Sequence, residues 1–343
     1  MPVIKVGQMH TDGINYYQRL HVSPIADLVV IKAAYRALMK KYHPDHRDGS
    51  TGTAEGLNEA YETLSHPTNR VRYDEGRKKL LGRRIGSFVI TDVIAEGGFG
   101  VTYKGKHHLT GKPVCVKQSH ETSPELNAIL VHETNAIWDL RHHGLPVMRD
   151  LLEMEDESLL LVMSFVEGMN LAQLTEKVGR LEPKHVSWIT ERCLNVLMFL
   201  HRFKVVHGDI KPQNVMLQPV DHTVTLVDFG LAMVNPSRHS KPLGYTEIFA
   251  PPEQLAGRPL LPESDLYSLG VVMLFLLSGG DLEKVISRSV PNDLPRPFRH
   301  FISELLRIDP LERPDWRTAF DQFQRVREDS GLPHTKNEPI PGL

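Results

Sequence analysis

HGDIKPQN at residues 207–214, followed by DFG at 228–230, decides the reading of this chain. Transfer of a phosphoryl group needs an acceptor for the hydroxyl proton, positive charge against the moving phosphate, and metal ligands. Asp209 can take the proton, and Lys211 can supply the charge. Asn214 and Asp228 carry hard oxygen donors of the kind that suits Mg²⁺. Either short motif can arise by chance. Both in this order, with matching residues upstream, leave coincidence little room.

Upstream, AEGGFGVTY sets Gly97, Gly98 and Gly100 between two strand-like runs. Without a Cβ, backbone N–H groups can approach phosphate oxygens. Taken alone, the loop reads better as an ordinary hairpin turn. The balance shifts because Lys117 ends the strand-like VCVK and Glu133 lies on the next helical segment. A lone lysine on a strand is usually solvated. One placed to meet both a phosphate and a helical glutamate is not. FVITDVIAE, VTYKGKH and KPVCVKQ alternate in polarity between glycine turns and read as antiparallel strands. Helical patterns follow at 125–140, 183–203, 263–278, 297–308 and 314–327. Strands first and helices after describe an α+β domain of two lobes.

A separate helical pattern starts at Ile25. Ile31, Ala34, Tyr35, Leu38 and Tyr42 mark its apolar face, and Lys32, Arg36 and Lys40 a basic stripe at steps of four. It stops at His43-Pro44-Asp45, because proline forces the preceding residue out of helical geometry. DGSTGT (48–53) reads as a loop, and a second helix carries Leu57, Ala60, Tyr61 and Leu64 on one face. Two amphipathic helices joined by a loop bury their faces against each other, so the unit is an antiparallel helical hairpin. A basic stripe is usually a solvated face. Its place beside the HPD tripeptide favours a partner-binding surface, while Tyr35 is equally well placed for the core. Nucleic acid is a poor fit, because no exposed aromatics interleave the stripe.

Composition is that of a soluble globular protein of about two domains: 343 residues, 41% hydrophobic and 24% charged. Residues 14–85 hold thirteen Lys+Arg against eight Asp+Glu, and residues from 86 onward 26 against 33, so the modules have opposite charge. Cys115 and Cys193 are too few for a disulfide framework and suit a reducing compartment. The N-terminus has no apolar signal-like run. The stretch Leu269–Leu277 is too short to span a bilayer and reads as a buried core helix, so the expected location is the cytoplasm, with no membrane partner. Among the 18 histidines, the pairs His107-His108 and His142-His143 read as solvated loop residues rather than metal ligands. The expected division is a flexible lead at 1–13, a helical module at 14–76, a basic linker at 77–85, a two-lobed module at 86–327 with lobes 86–166 and 167–327, and a disordered tail at 328–343.

With these motifs in place, residues 86–327 resemble the eukaryotic-type protein-kinase domain found in many bacterial Ser/Thr kinases. Residues 15–75, from NYYQRLHVSP to RYDEG, resemble a J domain over its full length. The first resemblance implies ATP, Mg²⁺ or Mn²⁺, and a protein substrate with a Ser or Thr acceptor. It implies a nucleotide site from Ala95, Gly97, Gly98, Gly100, Thr102 and Lys117, with Met163 as gatekeeper and Phe165 in the hinge strand Leu161–Val166. Lys117 should pair with Glu133, Glu253 of IFAPPE with Arg313 of DPLERP, and Asp265 should brace the catalytic loop. Thr246 should bond Asp209 and Lys211, which favours Ser/Thr over Tyr, and His207 should pack on Phe229. The second resemblance implies a four-helix unit. It also implies stimulation of a DnaK-type chaperone's ATPase through Lys32, Tyr35, Arg36, Lys40, His43, Pro44 and Asp45.

Three positions depart from the kinase pattern. Ala95 replaces the first glycine of the loop, a mild change, and Thr102 replaces a valine but keeps the β-branch. Gly208 replaces the arginine that clamps an activation-loop phosphate, which removes the usual receptor for a phosphate on Ser237 or Ser240. Two rival readings are a J-domain co-chaperone whose kinase domain only binds, and a kinase acting on a small molecule. Intact Lys117, Asp209, Asn214 and Asp228 argue against the first, and Thr246 with the IFAPPE shelf against the second.

Overall fold

The computed structural model describes residues 16–22, 26–42, 51–78, 80–97, 100–119, 124–155, 157–218, 221–332 and 340–342. His43, Pro44, Asp45 and Gly98 lie outside the described residues. The chain divides into two compact units, one containing residues 16–130 and 149–165, the other 131–148 and 166–342.

The first unit opens with four helices, α1 (Tyr16–Arg19), α2 (Leu28–Tyr42), α3 (Thr51–Ser65) and α4 (Pro67–Lys78). α2 starts at Leu28, not Ile25, because the Asp27 carbonyl takes the first helical bonds, from Val30 N and Ile31 N. Residues 51–53, read as loop, form the first turn of α3. Tyr17, Leu20, Ile31, Leu57, Ala60 and Leu64 make the buried core of this bundle. The buried Tyr17 hydroxyl keeps its hydrogen bonds, accepting from Arg70 Nε at 2.9 Å and donating to Asp74 Oδ1 at 2.8 Å.

A six-stranded sheet follows, made of β1 (Arg84–Ile85), β2 (Phe88–Gly97), β3 (Gly100–His107), β4 (Pro113–Ser119), β5 (Met148–Glu153) and β6 (Leu159–Ser164) in the order β1-β2-β3-β4-β6-β5. Side chains alternate between its faces. Ile90, Val101, Tyr103, Val114, Val116 and Val162 fill one face. Leu80 joins that core and is 1% exposed. Gly82 N donates to Ile90 O, and Ile90 N to Arg83 O. The segment 77–85, read as a basic linker, is therefore mostly built into its neighbours. α4 runs to Lys78, Leu80 seats in the sheet, and Arg84–Ile85 form its edge strand. Burial of the leucine and pairing with β2 outweigh the solubility of the flanking cations.

α5 (Pro124–Ile137) lies between β4 and β5 in the chain. The second unit continues with β7 (Met169–Asn170), α6 (Leu171–Val178), α7 (Pro183–Arg202), β8 (Val205–Val206), β9 (Val215–Gln218), β10 (Thr223–Leu226) and β11 (Met233–Val234). Then come α8 (Pro252–Leu255), α9 (Pro262–Ser278), α10 (Leu282–Ile286), α11 (Arg296–Leu305) and α12 (Trp316–Asp329). α9 holds the apolar run Leu269–Leu277 and is buried along most of its length. Among the described residues no helix is long and apolar enough to cross a membrane. Two details depart from the sequence reading. Ile340 is buried although it lies in the polar tail read as disordered. His142, read as solvated, packs on Phe199 with ring centroids 4.8 Å apart.

Candidate active site

The loop after β8 carries the candidate catalytic residues, and α9 holds that loop from below. Asp265, 1% exposed, accepts from His207 N at 2.8 Å, Gly208 N at 2.9 Å and His201 Nε2 at 2.8 Å. A buried carboxylate that accepts several N–H donors fixes a backbone far better than a neutral group would. Held in this way, Asp209, Lys211 and Asn214 converge. Lys211 Nζ lies 2.8 Å from Asp209 Oδ2 and donates to Thr246 Oγ1 at 3.0 Å. Thr246 Oγ1 donates to Asp209 Oδ1 at 2.7 Å, and Asn214 Nδ2 donates to Asp209 Oδ2 at 2.9 Å. Both carboxylate oxygens are thus oriented.

Asp228 stands beside this group, because Val227 N donates to Asn214 O at 2.9 Å. Its φ of 69° is left-handed, a conformation that aspartate tolerates better than most residues. Asn214 and Asp228 form an oxygen-only donor pair. A Mg²⁺ ion habitually takes one or two such protein ligands and completes its shell with phosphate and water, so the residues fit that ion. His207 packs against Phe229 with ring centroids 4.6 Å apart and the rings tilted by 48°. Burial pushes its pKa down against the opposing pull of Asp265, Asp209 and Asp228, so it is a neutral packing residue.

The segment after Thr246 is pinned by a buried ion pair. Arg313 donates to both Glu253 oxygens, at 2.6 and 2.8 Å, and to the carbonyls of Arg307, Glu263 and Ile308. Ser264 Oγ donates to Glu253 Oε1 at 2.7 Å. Burial raises the Glu253 pKa, but the bonds from Arg313 and Ser264 and the arginine's charge outweigh it, leaving the carboxyl below its ordinary range.

Gly208 explains its own departure. Its φ is 74°, and a Cβ would lie 2.7 Å from Leu231 O and 3.2 Å from Leu260 Cδ1. No side chain fits here, arginine included, without strain.

The first unit gathers Ala95, Thr102, Lys117 and Met163, all read as nucleotide-binding, on one sheet face. The register opposes Ala95 to Thr102, Thr102 to Lys117 and Lys117 to Leu161, and directly opposed residues share a face. Met163, two residues beyond Leu161, shares that face and is buried. Phe165 lies under Lys104 Nζ at 4.6 Å. Gly97 pairs with Gly100 where the hairpin closes, and a Cβ on Gly100 would lie 1.9 Å from Gln118 O. Close packing on β4 therefore demands that glycine independently of any phosphate. Lys117 belongs to the first unit and Glu133 to the second, where Glu133 Oε1 accepts from Phe229 N at 3.4 Å.

In the helical module Lys32, Arg36 and Lys40 are exposed on α2. Tyr35 is half-buried, stacked on Tyr61 at 4.0 Å with its hydroxyl donating to Asn58 Oδ1. Its ring thus belongs to the helix interface.

The model of the protein kinase domain matches residues 88–323, more than two thirds of the chain. The chain belongs to the protein kinase family. The DnaJ domain model matches residues 15–74, so this protein kinase carries a DnaJ domain ahead of its catalytic fold. The chain is 29% identical over 261 residues to serine/threonine-protein kinase F of Synechocystis, covering 66% of this chain and 52% of that protein. With serine/threonine-protein kinase B of Synechocystis it shares 32% over 299 residues, 75% of this chain and 52% of the relative. With serine/threonine-protein kinase PrkC of Bacillus subtilis it shares 28% over 275 residues, 71% and 42%. The kinase chain spans about half the length of the curated relatives it matches.

Sequence reading missed several residues that shape this kinase site. Gln254 Nε2, buried, donates to Gly208 O at 2.8 Å and Gly244 O at 2.7 Å, tying the catalytic loop to the activation segment. Arg288 donates to Ile248 O at 2.7 Å. His132 Nε2 lies 2.6 Å from Ala232 O, and His201 supports Asp265. No spacing or composition marks any of them, because each acts on a backbone carbonyl or carboxylate distant in sequence.

Proposed function

We propose that this protein is an ATP-dependent Ser/Thr protein kinase of the cytoplasm, whose J domain binds a DnaK-type chaperone and stimulates its ATPase. The observation that carries the kinase reading is the closed set of contacts among Asp209, Lys211 and Thr246. Asp209 orients the acceptor hydroxyl and takes its proton, and Lys211 neutralises the transferring phosphate. Thr246 couples both to the segment on which a peptide lies. Asn214 and Asp228 would hold Mg²⁺, which when bound neutralises phosphate charge. Ala95, Gly97, Gly100, Thr102, Lys117 and Met163 would bind ATP, and the family membership supports that assignment. The test offers ATP with Ser-, Thr- and Tyr-containing peptides otherwise alike. Label on Ser and Thr is expected, and label on Tyr alone or on small alcohols alone would overturn the reading.

Activity should not require a phosphate on the activation segment. Gly208 has no side-chain donor to receive one, no room for a side chain, and a backbone N–H already given to Asp265. Alanine at both Ser237 and Ser240 should leave the rate within a few-fold. A fall of about a hundredfold, worth about 2.7 kcal/mol of barrier, would mean that Arg238 or Lys241 serves as receptor.

The chaperone reading rests on the DnaJ domain and the exposed stripe Lys32, Arg36 and Lys40. His43→Gln should abolish stimulation of a DnaK-type chaperone's ATPase and leave peptide phosphorylation unchanged, because the bundle has its own core. A docked chaperone, or a client it holds, is then our proposed preferred substrate, at a local concentration on the order of millimolar. Equal labelling of the chaperone by both proteins at low enzyme concentration would remove delivery as the J domain's purpose.

A further inference from the structure

The loop after α10 leads from the peptide-facing segment to a cleft that no proposed catalytic residue lines. Arg288 starts it, with a left-handed φ of 54°. Its guanidinium donates to Ile248 O at 2.7 Å and the Tyr267 hydroxyl at 3.1 Å. Ile248 stands two residues after Thr246, so Arg288 fixes one edge of the peptide shelf. Val290, two residues further and so within about 8 Å along the chain, opens a cleft of about 580 Å³.

Arg296, Arg299 and His300 line this cleft with Asn292 and Pro297, and no Asp or Glu lines it. This cationic wall sits on a module with 26 Lys+Arg against 33 Asp+Glu. Nearby acids are engaged elsewhere or weakly. Asp293 pairs with Arg180 at 2.5 Å, and Glu304 faces His300 at 3.5 Å and Gln322 at 3.3 Å. Arg299 is held only loosely, by Asn292 at 3.4 and 3.5 Å. Arg296 is exposed and has no acidic partner among the described residues. Pro291, Pro295 and Pro297 fix the rim's backbone. Arginines on a rigid rim present planar donor forks that match carboxylate and phosphate, at a reduced entropic cost of binding.

We propose that this cleft docks an acidic run of the protein substrate, with Arg296 and Arg299 holding its carboxylate or phosphate groups while the acceptor lies on the adjoining shelf. The proposal deepens the kinase reading and rests on it. Its test uses the full chain and three peptides with one acceptor sequence, extended by a neutral run, an Asp/Glu run or a phosphoserine run. We expect the anionic extensions to lower KM about tenfold, equivalent to about 1.4 kcal/mol, with kcat unchanged, and the advantage to shrink with salt. Arg296→Glu with Arg299→Glu should erase it, leaving the neutral peptide's kcat/KM and the melting temperature at wild-type values. Arg296→Ala should weaken it in part. Whichever of the two anionic peptides gains more identifies carboxylate or phosphate as the better ligand. Fluorescence anisotropy of the same peptides scores binding without catalysis. If no peptide is phosphorylated, the kinase reading falls and anisotropy alone decides the cleft. Equal KM and equal anisotropy for neutral and anionic peptides, or an anionic advantage that survives the double substitution, overturns the proposal.

Discussion

Asp209→Asn should reduce phosphotransfer by about two to four orders of magnitude, the usual range for loss of a positioned acid or base, while nucleotide affinity stays within a few-fold. The carboxylate is held at Oδ1 by Thr246 and at Oδ2 by Lys211 and Asn214. An amide is nearly isosteric and can still accept from one side. Its NH₂ would face the donors of Lys211 and Asn214 or that of Thr246, and it cannot take the acceptor's proton. An interaction made only in the transition state lowers turnover without touching ground-state binding. Single-turnover transfer and displacement of a fluorescent nucleotide separate the two effects. Turnover near the wild-type rate would remove Asp209 from this role.

Arg313→Ala should cost about 3–5 kcal/mol of stability, because it leaves a carboxylate buried without its partner. Glu253 is 2% exposed and receives two of the arginine's five donors, and three backbone carbonyls take the rest. Glu253→Gln should cost less, since an amide oxygen still accepts from Arg313 and no charge is stranded. Acid should act on the same pair. The folded-state pKa of Glu253 is held below its ordinary value, so the unfolded chain takes up the proton first. This contribution is complete above the ordinary glutamate pKa of about 4.3 and is lost as pH falls through the lower folded value. Urea unfolding of wild type and Glu253→Gln across that acid range measures the difference. A cost below about 1 kcal/mol for Arg313→Ala would mean that solvent relaxes the pair as it does at a surface.

The catalytic loop was legible in the sequence because its chemistry is local. Asp209, Lys211 and Asn214 lie within six residues, and a short run of functional types is improbable without function. Thr246, Asp265, Glu253 and Arg313 were legible only through resemblance, since nothing in spacing alone joins residues sixty positions apart. Gln254 and Arg288 were not legible, because a neutral amide or a loop arginine becomes structural only when a distant carbonyl is brought to it. The helices and strands followed from periodicity, yet Leu80 was hidden among lysines and arginines until the sheet offered it a core and β2 offered backbone partners to Gly82 and Arg83 beside it. Ile340 was masked in the same way by the prolines and polar residues around it. Composition averages over a segment, whereas burial is decided residue by residue. Gly208 shows a further limit. Its identity suggested a missing receptor, but only the left-handed backbone and the Leu231 carbonyl behind it explain why no side chain fits there.

The most direct test of the central claim is a phosphorylation assay on the purified full chain with Mg²⁺ and γ-labelled ATP. A peptide carrying Ser and Thr is the acceptor, a matched Tyr peptide the control, and Asp209→Asn runs beside wild type. The account predicts label on Ser and Thr with wild type, little on Tyr, and at least about a hundredfold slower labelling with Asp209→Asn. Nucleotide binding by the wild-type chain without transfer to any peptide, or equal transfer by both proteins, would contradict it.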